Sequence, residues 1–342
     1  MKVGVIGLGF GATHLEWLAE CPTLSVAALG YHRDHTRARR LADQHGVTEV
    51  TDDCLGLAAD PRLDAVVVAS PPHTHLELAR PALARSAVVV VDKPLAHNLD
   101  DARELSTVAA STGARTMVTF QWREHQGVQM LRDELSRGAL GSVLLVDVTY
   151  HHDFLAGGAT AWPWRHDPHT AGAGALGDMG VHVLDLLRWI TGLEWTVGDA
   201  RLSRARDVRD GPSGPVRCDT EDLALLTLTA VGSPTMARVM VSRASPGHRL
   251  LEITLVGTAG TSRLRADPVD GSGCLDRLAE TTDPQRVIAP SSLNPYRRLV
   301  GDISRDTRTV PDFAAGTAAS SLVDAASRLA SSGRAPTLTG LE

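Results

Sequence analysis

The chain has 342 residues, 43% of them apolar, which is enough for two domains with a core in each. A net charge of −6 and a sequence pI of about 6.2 argue against nucleic acid or anionic membrane as partners, and no apolar run reaches membrane-spanning length. Cys21, Cys54, Cys218 and Cys274 stand far apart without a C-x-x-C pair, which disfavours a disulfide framework or a cysteine zinc site and fits a reducing compartment. Met1-Lys2 leads directly into a strand-like run, so no signal peptide is expected, and the expected location is cytoplasmic.

Val3-Gly4-Val5-Ile6 reads as a buried strand and runs into Gly7-Leu8-Gly9-Phe10-Gly11-Ala12, after which Leu15, Leu18 and Ala19 recur at helical spacing. Strand, glycine turn and helix form the setting in which a G-x-G-x-x-G/A match carries weight. Gly7 permits the tight turn, Gly9 lets the backbone approach a pyrophosphate, and Ala12 keeps helix and strand close. With Phe10 and Gly11 they make the expected dinucleotide cradle at a helix N-terminus. A tight turn without a ligand is the plainer alternative. Residues 24–29 form the second strand, whose end discriminates between cofactors. An NAD site usually places Asp or Glu there for the ribose 2′-OH; here His32 holds the place and Arg33 follows. Asp34 is expected inside the next helix, among Arg37, Arg39 and Arg40. A 2′-phosphate suits these arginines, which bind phosphate bidentately, so NADP(H) is favoured over NAD(H).

Strands at 47–50 and 63–69 follow, the second apolar enough for burial on both faces. It opens into Ser70-Pro71-Pro72-His73-Thr74-His75 and a helix at 76–85, with Ser70, Pro71 and His75 expected to line the cofactor site. His73 and His75 have no third ligand at a recognisable spacing, so no metal is expected. The strand at 87–91 runs into Asp92-Lys93-Pro94, placing Lys93 at the carboxyl edge of the sheet, where open α/β folds bind ligands. A helix at 99–111 and a strand at 116–120 complete a six-stranded, doubly wound parallel sheet, the domain spanning 1–121.

The rhythm changes from 122 onward. A helix at 127–137 and a strand at 143–150 precede the glycine-rich stretch 172–192. Spacings of four and seven put Asp178, His182 and Asp185 on one side of a helix, beside an apolar face of Val181, Leu184, Leu187 and Ile190. Taken alone, His182 reads as a satisfied core histidine and Asp178 as a complement to the helix dipole; beside Lys93 and the cofactor turn, they read as facing a substrate. Strands at 223–229, 235–242, 250–256 and 261–265 alternate apolar and polar residues, as in a large, open, mainly antiparallel sheet. The region 201–216 reads as an exposed connection whose arginines are balanced by Asp207 and Asp210, and 267–292 reads as mostly irregular. A last helix at 314–330, assigned to the second domain (122–342) but free to pack back on the first, precedes a short tail.

Together GLGFGA, SPPHTH, DKP, GALGDMGVHVLDLLRW and GTAGTSRL resemble, in order and spacing, the Gfo/Idh/MocA family of glucose–fructose oxidoreductase and inositol dehydrogenase, over nearly the whole chain. The resemblance implies a Rossmann domain followed by an α/β domain on a large open sheet, assembled as a homodimer or homotetramer. It assigns Lys93, Asp178 and His182 to catalysis, and places Trp164-Arg165 with them in the substrate pocket. It also places Asp92 with Lys93 beside the cofactor, although Asp92 stands where Glu is usual. The implied activity is hydride transfer between nicotinamide and a carbonyl or alcohol of a sugar, inositol or nucleotide-sugar-like molecule. His182, with its ordinary pKa near 6.5, is the expected acid/base, with Asp178 orienting it or binding a neighbouring hydroxyl, and Lys93 polarises the substrate oxygen; the roles of His182 and Lys93 could be exchanged. The alternatives are reduction of a C=N or C=C bond and a cofactor-sensing binding protein without catalysis; a metal hydrolase on His151-His152-Asp153 is least favoured.

Overall fold

A computed structural model describes residues 1–279, 282–289 and 293–332. The tail beyond the last helix lies outside the described residues. The first half alternates strand and helix as β1 (Lys2–Ile6), α1 (Gly11–Ala19), β2 (Ser25–Gly30), α2 (His35–His45), β3 (Glu49–Thr51), α3 (Cys54–Ala59), β4 (Ala65–Val68), α4 (His75–Ala84), β5 (Val88–Val91), α5 (Leu99–Thr112) and β6 (Thr116–Val118). The strands form one parallel sheet in the order β3-β2-β1-β4-β5-β6. Every residue of β4 and all but the first of β5 are buried, because helices cover both faces. Asp34 is the cap of α2 rather than a residue within it: its side chain accepts from the Arg37 backbone N–H.

The second half opens with α6 (Gln126–Ser136), β7 (Val143–His151), α7 (Pro168–Ala171) and α8 (Val181–Thr191). It continues with β8 (Trp195–Ser203), β9 (Val208–Gly211), β10 (Gly214–Arg217), β11 (Leu223–Ala230), β12 (Met236–Ser242), β13 (Leu250–Gly257), β14 (Thr261–Ala266), β15 (Gly273–Ala279) and β16 (Thr282–Ala289). Eight of these strands make one sheet, β16-β15-β14-β13-β7-β12-β11-β8, in which only the β7–β12 pair is parallel. Two sequence expectations fail here. The stretch 267–292 contains β15 and the edge strand β16, disguised by charge: Asp276 draws together Arg263, Arg265 and Arg286 across the strands. The supposed exposed connection at 201–216 includes the end of β8 and a β9–β10 hairpin, and its Arg209 is fully buried against Asp222.

The chain then returns to the first domain. Tyr296 and Leu299 of α9 (Tyr296–Arg305), a helix the sequence pattern does not announce, bury in the Rossmann core beside Leu15 and Leu18. The final helix α10 (Phe313–Ser331) lies against α5 and β6 of the first domain and against α8 and β8 of the second. It is capped by Asp312, and Thr317 bonds both the Ser106 hydroxyl and the Ala102 carbonyl. No helix among the described residues is long and apolar enough to cross a membrane.

Candidate active site

The site is assembled where the carboxyl edge of the parallel sheet meets the amino end of α8. At that edge β1 ends in Gly7, whose φ of +114° is unfavourable for any side chain; a Cβ there would lie 2.4 Å from the Ala69 carbonyl oxygen. At Gly9 a Cβ would meet nothing within 4 Å, so the backbone borders open space ahead of α1. Gly11 opens α1 and is buried, while Phe10 and Ala12 are half-buried. This tight turn, bare backbone and helix N-terminus fit a dinucleotide pyrophosphate. His32 and Arg33 follow β2 and are exposed, as are Arg37, Arg39 and Arg40.

Ser70 and Pro71, at the end of β4, are half-buried, and the Ser70 hydroxyl bonds that of Thr74 at 2.6 Å. His75 does not line the cofactor site as expected. It is fully buried, with Nε2 2.8 Å from the Ser70 carbonyl and Nδ1 3.1 and 3.2 Å from those of Pro94 and Leu95. It therefore pins the loop after β4 to the loop after β5. Asp92 likewise turns inward: its carboxylate accepts from the Thr119 hydroxyl at 2.5 Å, and it is 8% exposed.

Lys93 reaches across to the second domain. Its ammonium donates at 2.8 Å to both the backbone carbonyl and the Oδ1 of Asp178, and Arg165 closes on the other carboxylate oxygen. An ammonium has three N–H donors, so one remains for a substrate oxygen. Lysine is rare here: the chain has two, Lys2 and Lys93, and meets its other cationic needs with arginine. Unlike arginine, a lysine can give up a proton. Burial by itself raises the pKa of Asp178, but Arg165 and Lys93 outweigh it and hold the carboxyl well below its usual range. Arg165 lies over Trp164, 4.6 Å from the ring centroid, with Trp162 and Phe154 at 5.6 and 5.7 Å.

The glycine-rich entry to α8 threads between two backbones. A Cβ on Gly172 would lie 1.9 Å from the His97 carbonyl oxygen, and one on Gly174 1.9 Å from that of Glu221. Leu176–Gly180 then forms a π-helical turn, and α8 begins only at Val181. The helix is buried almost all round rather than along one face, from Val181 through Leu187.

This changes the geometry read from spacing. Asp185 is engaged elsewhere, bonding Arg123 through both carboxylate oxygens at 2.7 and 2.5 Å. Asp178 does not orient His182: its oxygens are taken by Lys93 and Arg165, and no hydrogen bond joins it to the imidazole. His182 is 3% exposed, edge-on to Phe120, with a buried Nδ1 that has no partner among the described residues. Nor is its pKa ordinary. Burial, followed by the Lys93 charge, lowers it well below 6.5, with Asp178 offsetting only part, so His182 is neutral at neutral pH.

Several supporting groups escaped the sequence reading. Arg243, fully buried, bonds Asp222 at 3.0 Å and the Thr220 hydroxyl at 2.8 Å, while Thr220 donates at 2.8 Å to the Arg165 carbonyl. Asp222 and its two arginines thus anchor the backbone that presents Arg165. Tyr150 is buried beneath the site, with its hydroxyl pushed up to about 12 by burial. Nothing in local patterning marks these residues, because each pairs with a partner distant in sequence. No group of three or more His, Cys, Asp or Glu able to hold a metal occurs among the described residues.

Comparison with known proteins identifies the family. Residues 1–120 match the family described as "Oxidoreductase family, NAD-binding Rossmann fold", and 128–263 match the GFO/IDH/MocA C-terminal domain. The chain belongs to the Gfo/Idh/MocA family. It is an oxidoreductase with a nicotinamide-dinucleotide-binding Rossmann domain. Levoglucosan dehydrogenase of Pseudarthrobacter phenanthrenivorans is 29% identical over 70% of this chain and 67% of its own. Inositol 2-dehydrogenase 2 of Saccharopolyspora erythraea is 30% identical over 68% and 64%. A levoglucosan dehydrogenase structure with NADH and L-sorbose superposes with a TM-score of 0.88 over 97% of both chains at 22% identity, and an oxidoreductase from Kribbella flavida reaches 0.88 over 96% and 97% at 24%. At these identities the structural likeness speaks for the fold.

Proposed function

We propose that this family member is an NAD(P)-dependent dehydrogenase of a polyhydroxylated small molecule, with Lys93, Asp178 and His182 as its reaction centre. The observation that carries the reading is the Lys93–Asp178 pair closing across the two domains beside a neutral, unpartnered His182. The relatives named above, a levoglucosan and an inositol dehydrogenase, support a sugar or polyol as substrate. When bound, the nicotinamide supplies the hydride acceptor or donor. The residues of the chain do the rest. Gly7 to Ala12 hold the phosphates, Ser70 and Pro71 line the dinucleotide's path, and Trp164 and Arg165 wall the substrate side. Lys93 donates its free N–H to the reacting oxygen and steadies negative charge as the hydroxyl proton leaves. His182, neutral and desolvated, is the nearby proton acceptor, while Asp178 fixes the lysine rather than the histidine.

NADP(H) is the favoured cofactor. Asp34, the acid that follows β2 most closely in sequence, is engaged as a helix cap, which leaves His32 and Arg33 to meet the ribose and its 2′ substituent. Fluorescence titration with NADPH and NADH tests this: NADPH is expected to bind more tightly, and NADH binding more tightly by about tenfold, a difference of some 1.4 kcal/mol, would reverse it. Copies of the chain are expected to associate as a homodimer or homotetramer. The uncovered face of the second sheet supports this, with Leu225 and Met236 exposed and their cross-strand neighbours Met240 and Leu145 only half-buried.

A further inference from the structure

Around Asp92, the residue before Lys93, lies a buried polar cluster that the reaction scheme does not use. His14, one turn into α1, is completely buried. Its Nδ1 lies 2.6 Å from the Tyr296 hydroxyl of α9. Its Nε2 has no hydrogen-bond partner among the described residues and faces Oδ1 of Asp92 at 4.0 Å. Asp92 in turn accepts from Thr119 at the end of β6. Four segments therefore meet in one small polar pocket: the helix after the glycine turn, the residue before Lys93, the end of β6, and α9.

Protonation states in this pocket follow from its burial. Burial lowers the His14 pKa to about 4, with Asp92 only partly compensating, so the ring is neutral at pH 7. Burial also holds the Tyr296 hydroxyl well above 10, so it stays protonated. In the tautomer in which it donates to Nδ1, the proton of the imidazole is on Nε2 and faces the Asp92 carboxylate. At 4.0 Å the two do not form a hydrogen bond. A buried N–H left unmade is a standing cost, and an approach of about an ångström would remove it. Such an approach would move α1, which carries the dinucleotide cradle at its amino end, against the segment that carries Lys93.

We propose that His14 is a positioning residue of the reaction centre: bonded to Tyr296 and seated against Asp92, it holds the cofactor-binding turn beside the Lys93 segment and fixes the lysine. The role rests on the reading of Lys93 given under Proposed function, so its test includes a measurement that needs no turnover. With only Lys2 and Lys93 present, Lys2 exposed and Lys93 largely covered, a pulse of acetic anhydride followed by peptide mass spectrometry reports the accessibility of Lys93 against an internal reference. His14→Phe keeps the edge-on ring contacts with Phe10 and Trp17 but loses both nitrogens. It is expected to speed Lys93 labelling relative to Lys2 by several-fold and to lower kcat about tenfold or more, the cost of sub-ångström misplacement at a reacting centre, with cofactor Kd little changed. Asp92→Glu, one methylene longer, spans the gap and is expected to keep slow labelling and turnover, whereas Asp92→Ala is expected to behave like His14→Phe.

Three results would overturn the proposal. One is unchanged Lys93 labelling and kcat in His14→Phe with only Tm lowered, which makes His14 a packing residue. Another is a loss confined to cofactor Kd, which assigns it to the glycine turn alone. The third is Asp92→Glu behaving like Asp92→Ala. Absence of turnover in the unmodified protein would count against the proposed function while leaving the labelling comparison able to decide the positioning role.

Discussion

Replacing Asp178 by Asn separates the electrostatic role of this carboxylate from its shape. Asp178 takes the Lys93 ammonium at 2.8 Å on one oxygen and the Arg165 guanidinium on the other, with side-chain exposure of 12% for both Lys93 and Asp178. At an effective dielectric near 20, a unit pair at that distance attracts by about 6 kcal/mol before desolvation is counted. Removing the charge leaves two adjacent, largely buried cations without a counter-ion, for which the net loss is about 3–5 kcal/mol. Lys93→Met is milder: Asp178 keeps Arg165, and the loss is about 1–3 kcal/mol for the charged hydrogen bonds. For a protein of this size the Asp178→Asn loss corresponds to a fall in Tm of roughly 4–7 °C. Urea unfolding and calorimetry of both variants measure the difference, and both variants should be catalytically crippled. Asp178→Asn proving as stable as Lys93→Met would refute the reasoning, because Asp178 would then not be the shared counter-ion of two cations.

The glycine turn yields a paired prediction. Gly7→Ala should unfold or severely destabilise the first domain, since its Cβ would strike the Ala69 backbone, whereas Gly9→Ala should fold normally and lose cofactor affinity, since its Cβ would project only into the cradle. Circular dichroism and dinucleotide titration of the two variants check this, and a Gly9→Ala protein with full affinity would contradict it. Acid sensitivity follows from His14, whose folded pKa of about 4 lies below the unfolded 6.5. Between those values the unfolded chain binds the extra proton, so stability falls as pH drops, by about 2 kcal/mol from pH 7 to pH 5 for this one group. In His14→Phe that part of the slope should disappear in urea titrations at the two pH values; an unchanged slope would show that His14 is protonated in the folded state.

Much of the first domain was legible because buried parallel strands are written as short valine runs and their helices as amphipathic periods. Val66 to Val68 and Val89 to Val91 have no other plausible environment. The antiparallel strands from Leu223 onward were equally plain by alternation. Strands β15 and β16 were not, because Asp276 and its arginines stabilise them by cross-strand charge, which reads locally as loop. Helix α9 was missed for a related reason: its buried residues are few, and Tyr296 and Leu299 bury against a domain nearly three hundred residues earlier in the chain. At the site, residue types were readable and their partners were not. Lys93, Asp178 and His182 stood out by position. The π-turn that separates Asp178 from α8 alters the side each residue faces, and a regular helical wheel has no means of showing it. The burial that lowers the His182 pKa and turns His75 and Asp92 inward is likewise a property of the packed structure, absent from spacing.

The central claim is that Lys93 and His182 serve the reaction while the glycine turn serves the cofactor, and one comparison tests it most directly. Wild type, Lys93→Met and His182→Ala are titrated with the preferred dinucleotide and then assayed with a panel of sugars and polyols. Both variants are predicted to bind the dinucleotide within a few-fold of wild type and to lose turnover by at least roughly a hundredfold. Turnover that survives both substitutions would contradict the account.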